Sequence, residues 1–167
     1  MKKIFMLIVA TVFAVTFANA QTGWVDHTGD NRISLKFPSE PKEVAAGSVA
    51  ASDKDSVVYI FTIVDFVQVA GIDSVALAPM KNTPEFAEQL KTGLKQGLPN
   101  VTFDDFKLGT WKGFTSYTST GIDPQKKKYD MLLVIIGNKL YSFSTVRSDG
   151  TGMEGHDRFL NSIVLSN

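Results

Sequence analysis

Two segments of the chain are apolar at almost every position, which is the pattern of strands at the centre of a sheet. They are Val57–Val64 and Met131–Ile136. Alternate side chains of a strand point to opposite faces, so a strand that is apolar throughout needs cover on both sides. Arg32–Phe37 differs, because its apolar and polar residues alternate and Pro38 follows it. That segment is predicted to be a strand with one covered face.

A turn signal separates the second apolar segment from the next one. Gly137 and Asn138 both tolerate a positive φ and form a typical two-residue hairpin turn. The predicted hairpin therefore pairs Lys128–Ile136 with Lys139–Arg147. Further strands are predicted at Thr102–Leu108 and Lys112–Thr120, with a turn near Gly109-Thr110, and a weaker one at about Glu43–Ala50.

A helix is predicted to begin at Thr83-Pro84. Thr83 can accept a hydrogen bond from a free amide of the first turn, and Pro84 suits the first helical position, where no donor is needed. The helix is predicted to end at Gly97, in a left-handed conformation, before Pro99. Its apolar stripe repeats every four residues, at Phe86, Leu90 and Leu94.

A second helix is predicted over about Gly152–Ile163. Its predicted buried side consists of Met153, Phe159, Leu160 and Ile163. Strands joined by short turns give a mainly antiparallel sheet, and the central strands require cover on both faces. The prediction is an α+β fold, in which the sheet is flanked by helices on both faces as an α/β/α sandwich.

The first twenty residues have the pattern of an export signal. Lys2 and Lys3 precede an apolar run from Ile4 to Ala18, and Ala18-Asn19-Ala20 is a small-x-small cleavage pattern. A membrane anchor is the alternative, but a span needs about 20 apolar residues and this run is shorter. We expect cleavage after Ala20 and a periplasmic or secreted mature chain, residues 21–167, without a stable membrane span.

Composition narrows the function classes. The 167 residues suit a single domain after the signal, and no Cys is present, which excludes disulfides, thiolate metal sites and Cys nucleophiles. Lys+Arg and Asp+Glu number 17 each, and loss of Lys2 and Lys3 leaves a net charge of −2. This balance does not indicate the basic surface that nucleic acid binding requires.

The order of these elements resembles the PsbP-like family of small exported domains with an α/β/α sandwich fold. The matching elements are Trp24, Ile33–Pro41, Asp65-Phe66 after the aromatic strand, the helix with Phe86, Leu90 and Leu94, Gly113, Gly137–Tyr141 and Phe159–Ile163. The resemblance implies a fold and a non-enzymatic binding or accessory role. It does not imply photosystem or GTPase binding, because no functional residue of such members matches here. Val67–Asn82 is longer than the family pattern, and long loops are often functional or mobile.

No catalytic set is visible around the two histidines. His27 follows Asp26, but no Gly-x-Ser-x-Gly turn is present to hold a serine nucleophile. We expect His27 to be exposed or to cap an element, and His156 to lie at the border of the buried side of its helix. Catalytic residues and cofactors are therefore not predicted.

The segment Asp149–Asp157 resembles a cation-binding loop only superficially. Oxygen ligands are needed at its fifth and twelfth positions, and these are Met153 and Leu160. We expect a helix-entry loop with a polar cap, and no metal site.

Three other features could mark a partner surface. The run Lys126–Lys128 could attract an acidic partner, but a solvated hairpin entrance is the favoured interpretation. Trp24 and Trp111 could be exposed anchors, although a role in the core or at a sheet end is favoured. Overall, we expect an exported, non-catalytic domain that binds an unknown protein. The alternative is a carrier of a small molecule or lipid, with a pocket between sheet and helix that Val67–Asn82 could gate.

The export signal leads to a direct prediction. The intact mass of the protein recovered from the envelope or the medium should correspond to a chain that begins at Gln21. Mass spectrometry of the intact protein measures this. A recovered protein that retains residues 1–20 would contradict export by cleavage.

Overall fold

The computed structural model describes residues 23–148 and 150–166. The predicted signal, including Ala18 and Ala20, lies outside the described residues, and so does Asp149. The strands are β1 Val25–Thr28, β2 Ile33–Phe37, β3 Lys42–Ala45, β4 Ser48–Ser52, β5 Val58–Asp65, β6 Thr102–Phe103, β7 Lys107–Trp111, β8 Phe114–Ile122, β9 Lys128–Ile136, β10 Lys139–Arg147 and β11 Val164–Leu165. The helices are α1 Phe66–Ala70, α2 Ser74–Leu77, α3 Pro84–Gly97 and α4 Met153–Asn161.

The strands form two antiparallel sheets. The large sheet has eight strands in the order β3-β4-β5-β10-β9-β8-β6, and β7 pairs with β8 on the same side as β6. The small sheet has the order β1-β2-β11. The prediction of a mainly antiparallel sheet is confirmed, and it follows from the short turns that join β3 to β4, β7 to β8 and β9 to β10.

The β9–β10 hairpin has the predicted bounds at all four strand ends. Gly137 occupies its turn with a φ of 62°, where a side chain would cause strain. The pairing places Tyr141 beside Val134 and Phe143 beside Leu132. Because neighbouring residues of a strand alternate, Leu132, Val134 and Ile136 belong to one apolar cluster, whereas Met131, Leu133 and Ile135 belong to the other.

Helix α3 covers the first face of the large sheet. Its N-terminus is capped as predicted, because the Thr83 hydroxyl accepts a hydrogen bond from the Phe86 amide at 3.2 Å. The stripe residues are buried against the sheet, with Phe86, Leu90 and Leu94 all at most 3% exposed. They belong to a cluster that includes Tyr117 and Leu133 from the sheet. This face therefore matches the predicted helix-on-sheet packing.

The second face is covered by the small sheet together with α4. Three residues of β2 and Phe159 of α4 are nearly inaccessible and pack with Tyr59 and Phe61 of β5. The β2 residues are Ile33, Leu35 and Phe37. The structure thus supports a mainly antiparallel sheet with a few packed helices. On the second face, the strands of the small sheet supply much of the covering layer.

One predicted turn is misplaced, and another turn was not predicted. The β7–β8 turn lies at Lys112-Gly113 instead of Gly109-Thr110, because Lys112 and Gly113 adopt the positive φ values of 47° and 83° that a two-residue hairpin needs. Gly109 lies within β7. The single weak strand at Glu43–Ala50 is two strands, β3 and β4, separated by a turn in which Gly47 has a φ of 72°.

The helix predictions are also wrong in detail. Helix α3 ends at Gly97 as predicted, but Gly97 is helical and the cap residue Leu98 has a φ of −127°, so the predicted left-handed end is wrong. Met153 is 52% exposed, not buried. It lies six residues before Phe159, so it is rotated about 120° away from that buried side chain on a helix of 3.6 residues per turn. Elements β1, β11, α1 and α2 are too short to have given a periodic pattern.

The contact between α4 and β5 predicts that replacing a helical glycine by alanine destabilises the protein. A Cβ at Gly155 would overlap the hydroxyl of Tyr59, which is inaccessible and donates a 2.8 Å hydrogen bond to Asp53. Gly155→Ala should therefore lower the free energy of unfolding by about 1–3 kcal/mol, although alanine normally stabilises a helix. Urea denaturation measures the change.

A Tyr59→Phe background provides the matched control. It removes the oxygen atom that the new Cβ meets first, so Gly155→Ala should cost less there than in the wild type. An equal cost in both backgrounds, or a stabilised single variant, would show that this contact does not limit the packing of α4.

Candidate functional site

The large sheet is left uncovered beside α4. Strand β8 is an inner strand, with β9 on one side and β6 and β7 on the other. Thr118 and Thr120 are nevertheless exposed, and both point to the face that carries α4. An inner strand exposes such positions only where no layer packs on the sheet. We call this region, between α4 and the loop that joins β6 to β7, the α4 groove.

The α4 groove has a volume of about 240 Å³. Leu132 of β9 belongs to the second apolar cluster, which α4 completes through Phe159, with Leu160 packed against it. His156 and Leu160 provide the helix side, and Asp104 and Asp105 provide the loop side. The complete lining is Asp104, Asp105, Lys107, Thr118, Ser119, Thr120, Asp130, Met131, Leu132, His156 and Leu160.

The carboxylates of the α4 groove have partners within the protein. Arg147 Nε donates to Asp130 Oδ2 at 2.9 Å, and the side chains of this pair are only 9% and 19% exposed. Asp104 accepts a hydrogen bond from the hydroxyl of Thr120. Asp105 pairs with Lys91 of α3, an interaction that lowers the pKa of the exposed Asp105 carboxyl. The groove therefore offers oriented polar groups rather than unbalanced charge.

His156 is held by a buried threonine. Its Nδ1 atom lies 2.9 Å from the hydroxyl oxygen of Thr145 on β10. His156 is half-buried, as predicted for the border of the buried side of the helix. Thr145 is completely inaccessible. The pair has the separation of a nucleophile and its base, but its hydroxyl cannot contact a substrate in this conformation.

His27 is neither freely exposed nor a cap. It is half-buried in β1, and its ring packs edge-on against Phe37 and Phe61, with centroids 5.6 and 6.3 Å away. Burial lowers the pKa of His27, and the negative charge of Glu40 opposes this shift only in part. The structure therefore corrects the prediction: His27 belongs to the packing between the two sheets.

The lysine run lies at the predicted hairpin entrance. Lys126 has a φ of 64°, and the amide of Lys127 donates to the Asp123 carboxylate at 2.9 Å. Lys128 is the first residue of β9 and pairs with Ile122. These contacts account for the run as part of a tight turn between β8 and β9.

Both tryptophans pack at sheet ends, as the favoured interpretation predicted. Trp24 lies edge-on to Tyr59, with centroids 5.4 Å apart, and the guanidinium of Arg158 is 4.9 Å from its ring. Trp111 packs on Phe143 at 6.4 Å, and the amine of Lys112 is 4.7 Å from its ring. Each ring therefore connects the second apolar cluster to a cation at its margin.

The segment Val67–Asn82 lies on the opposite face from the α4 groove. It contains most of α1 and all of α2, and Leu77 is buried in the cluster beneath α3. The Tyr117 hydroxyl donates to the Lys81 carbonyl at 2.7 Å and fixes the segment to the first face. The hypothesis that this segment gates a pocket does not apply to the α4 groove.

The helix-entry loop before α4 lacks the expected polar cap. Gly152 occupies the cap position with a φ of 75°, and no side chain at that position accepts a hydrogen bond from the first turn of α4. A Cβ there would overlap Val57, so the close approach of the loop to β5 requires glycine. Across residues 23–148 and 150–166, no group of three His, Asp or Glu side chains could hold a metal ion.

The α4 groove was not identified from the sequence. Strand β8 carries polar residues on both of its faces, Ser116, Thr118 and Thr120 on one and Thr115 and Ser119 on the other. The sequence of β8 therefore did not show which face is left uncovered. Identification of Asp130 and His156 as neighbours required the register of β8, β9 and β10 and the packing of α4.

The comparisons with known proteins support the fold of the chain and say nothing about its function. Neither a family model nor a curated protein matches the chain. The solution structure of cyanobacterial PsbP (CyanoP) from Synechocystis sp. PCC 6803 matches with a TM-score of 0.60 at 14% identity, covering 94% of this chain and 98% of that one. A crystal structure from Bacteroides thetaiotaomicron matches with a TM-score of 0.40 at 13% identity, covering 81% of this chain and 45% of that one.

The CyanoP match supports the PsbP-like fold that the order of elements indicated. None of the helices within 23–148 and 150–166 is both long and apolar enough to cross a membrane.

The half-buried ring of His27 predicts a pH dependence. Its pKa is below the ordinary value of 6.5, so below about pH 6.5 the unfolded chain binds a proton that the folded chain resists. The stability contribution is complete above pH 6.5 and is lost as the pH falls through the folded pKa. Urea denaturation between pH 7.5 and pH 5 should show wild-type stability falling more than that of His27→Phe, which keeps an aromatic ring. Equal falls would exclude His27 as the group responsible.

Proposed function

We propose that the chain is an exported, non-catalytic binding domain that recognises a protein partner through the α4 groove. The mature domain begins at Gln21 in this proposal and acts in the periplasm or outside the cell. The exposure of Thr118 and Thr120 on an inner strand carries the proposal. An antiparallel sheet can leave part of one face solvated, and such an uncovered polar surface is available to a partner.

The size of the α4 groove favours a protein over an enclosed ligand. Small-molecule sites typically occupy about 300–1,000 Å³ and surround most of the ligand. At about 240 Å³, with exposed threonines in its lining, the groove suits one or two side chains of a partner. The paired polar groups around it would exchange hydrogen bonds with a peptide backbone without leaving a charge unpaired.

The contacts of the histidines support a non-catalytic role. The Thr145 hydroxyl that contacts His156 is inaccessible, and His27 packs against two phenylalanines in another part of the fold. Asp130, the nearest candidate for orienting a base across β9 and β10, is engaged by Arg147. These four side chains, which general acid–base chemistry could use, therefore each have a structural partner.

A small-ligand carrier is the second candidate. Met131, Leu132 and Leu160 provide an apolar portion of the groove next to hydroxyl groups, a combination that suits a small amphipathic molecule. The same groove would serve both functions, so the two candidates differ in the occupant and not in the location.

A groove-filling substitution tests the location. Thr118→Trp should weaken capture of the partner from a native envelope extract by about tenfold or more, equivalent to about 1.4 kcal/mol. Thr28→Trp is the matched control, because Thr28 is also an exposed threonine in a strand, but in the small sheet. Quantitative mass spectrometry of the captured proteins measures the effect.

The same two variants distinguish a protein partner from a small ligand as the occupant of the α4 groove. Equal capture by both variants would overturn the assignment of the groove to a protein partner. Native mass spectrometry of the purified wild type would support the carrier instead if it found a bound small molecule that Thr118→Trp excludes and Thr28→Trp retains.

A further inference from the structure

Strand β7 is the longest regular edge strand among the described residues. It has five residues in unbroken register with β8, and the opposite edge of β7 pairs with no described strand. The edge strands β6 and β11 have two residues each, and the edge strand β1 has four in unbroken register with β2. Strand β3 has four, with an irregularity between Glu43 and Ala45. An unpaired regular edge presents backbone donors and acceptors that another strand can complete.

The register shows which backbone groups of β7 point outward. Lys112-Gly113 forms a two-residue turn, so Trp111 and Phe114 are a hydrogen-bonded pair. Hydrogen-bonded pairs alternate along an antiparallel ladder, which directs the backbone groups of Lys107, Gly109 and Trp111 toward β8. The N–H and C=O groups of Leu108 and Thr110 therefore point away from the sheet.

This arrangement is complementary to itself. We propose that two copies of the chain pair through the outer edge of β7, antiparallel and centred on Gly109 of each copy. Leu108 then lies opposite Thr110 of the second copy, and each of these two pairs exchanges both N–H···O bonds. The four hydrogen bonds join the two large sheets into one. The proposal is independent of what occupies the α4 groove.

The side chains fit the same register. Gly109 lies opposite Gly109 of the second copy in a non-hydrogen-bonded pair, where strands approach most closely. Leu108 is 52% exposed and would be covered by Thr110 of the second copy on the α3 face. Lys107 lies opposite Trp111 of the second copy, so a cation meets an aromatic ring rather than a like charge.

The pairing is weak and concentration-dependent, because five residues bury less area than a stable interface requires. It also places the two uncovered regions of the sheet side by side, since Lys107 of β7 lines each α4 groove at the shared edge. A dimer would therefore present a wider surface than one copy does.

Disulfide trapping tests the pairing in a chain without native cysteine. Gly109→Cys should form a cross-linked dimer under mild oxidation at least about tenfold faster than Val75→Cys, because paired edges raise the effective thiol concentration. Val75 is a suitable control because it is 79% exposed and lies in α2. A Cβ at Gly109 makes only an ordinary 3.6 Å contact with the Ser116 hydroxyl, so the monomer should tolerate the change.

A second substitution separates edge pairing from random collision. Leu108→Pro removes an outward N–H that β8 does not use, so the fold should persist by circular dichroism while cross-linking of Gly109→Cys slows to the control rate. Leu108→Thr keeps the N–H and should retain cross-linking. Equal rates for Gly109→Cys and Val75→Cys, or rapid cross-linking that survives Leu108→Pro in a folded protein, would overturn the proposal.

Discussion

The pairing of β9 with β10 across Gly137-Asn138 is the interaction on which the other layers depend. Val134, Leu133 and Tyr141 are at most 1% exposed, although they lie on different faces of the sheet. Burial of each such side chain contributes about 1.5–3 kcal/mol, which is gained only if both faces are covered. The hairpin thus requires α3 on one face, and the small sheet with α4 on the other.

The cover on the second face ends before the sheet does. The small sheet and α4 pack over β5, β10 and β9, and the outer part of β8 beyond them carries threonines instead of large apolar residues. The result is a polar strip of sheet next to a firmly packed core. A rigid site loses little conformational entropy when a partner binds. Side chains on strands are also held in a more precise geometry than side chains on loops.

Local patterns predicted the parts of the fold that local sequence controls. The continuous apolar run Met131–Ile136 and the Gly137 turn predicted β9 and β10 to the residue, and the Thr83 cap predicted the start of α3. Lys112 shows the limit, because a non-glycine residue with a positive φ gives no turn signal in the sequence. The α4 groove depends on contacts between distant segments, such as His156 with Thr145 and Asp130 with Arg147. These contacts could not be predicted without knowing the register of the large sheet.

Hydrogen–deuterium exchange with and without the partner captured from the native envelope tests the central claim most directly. If the α4 groove is the binding surface, the partner should slow exchange in the peptides that contain Thr118–Thr120 and His156–Leu160. Peptides of α3 and of residues 67–82, on the opposite face, should exchange unchanged. Slowed exchange confined to that opposite face, with the groove unaffected, would contradict the account.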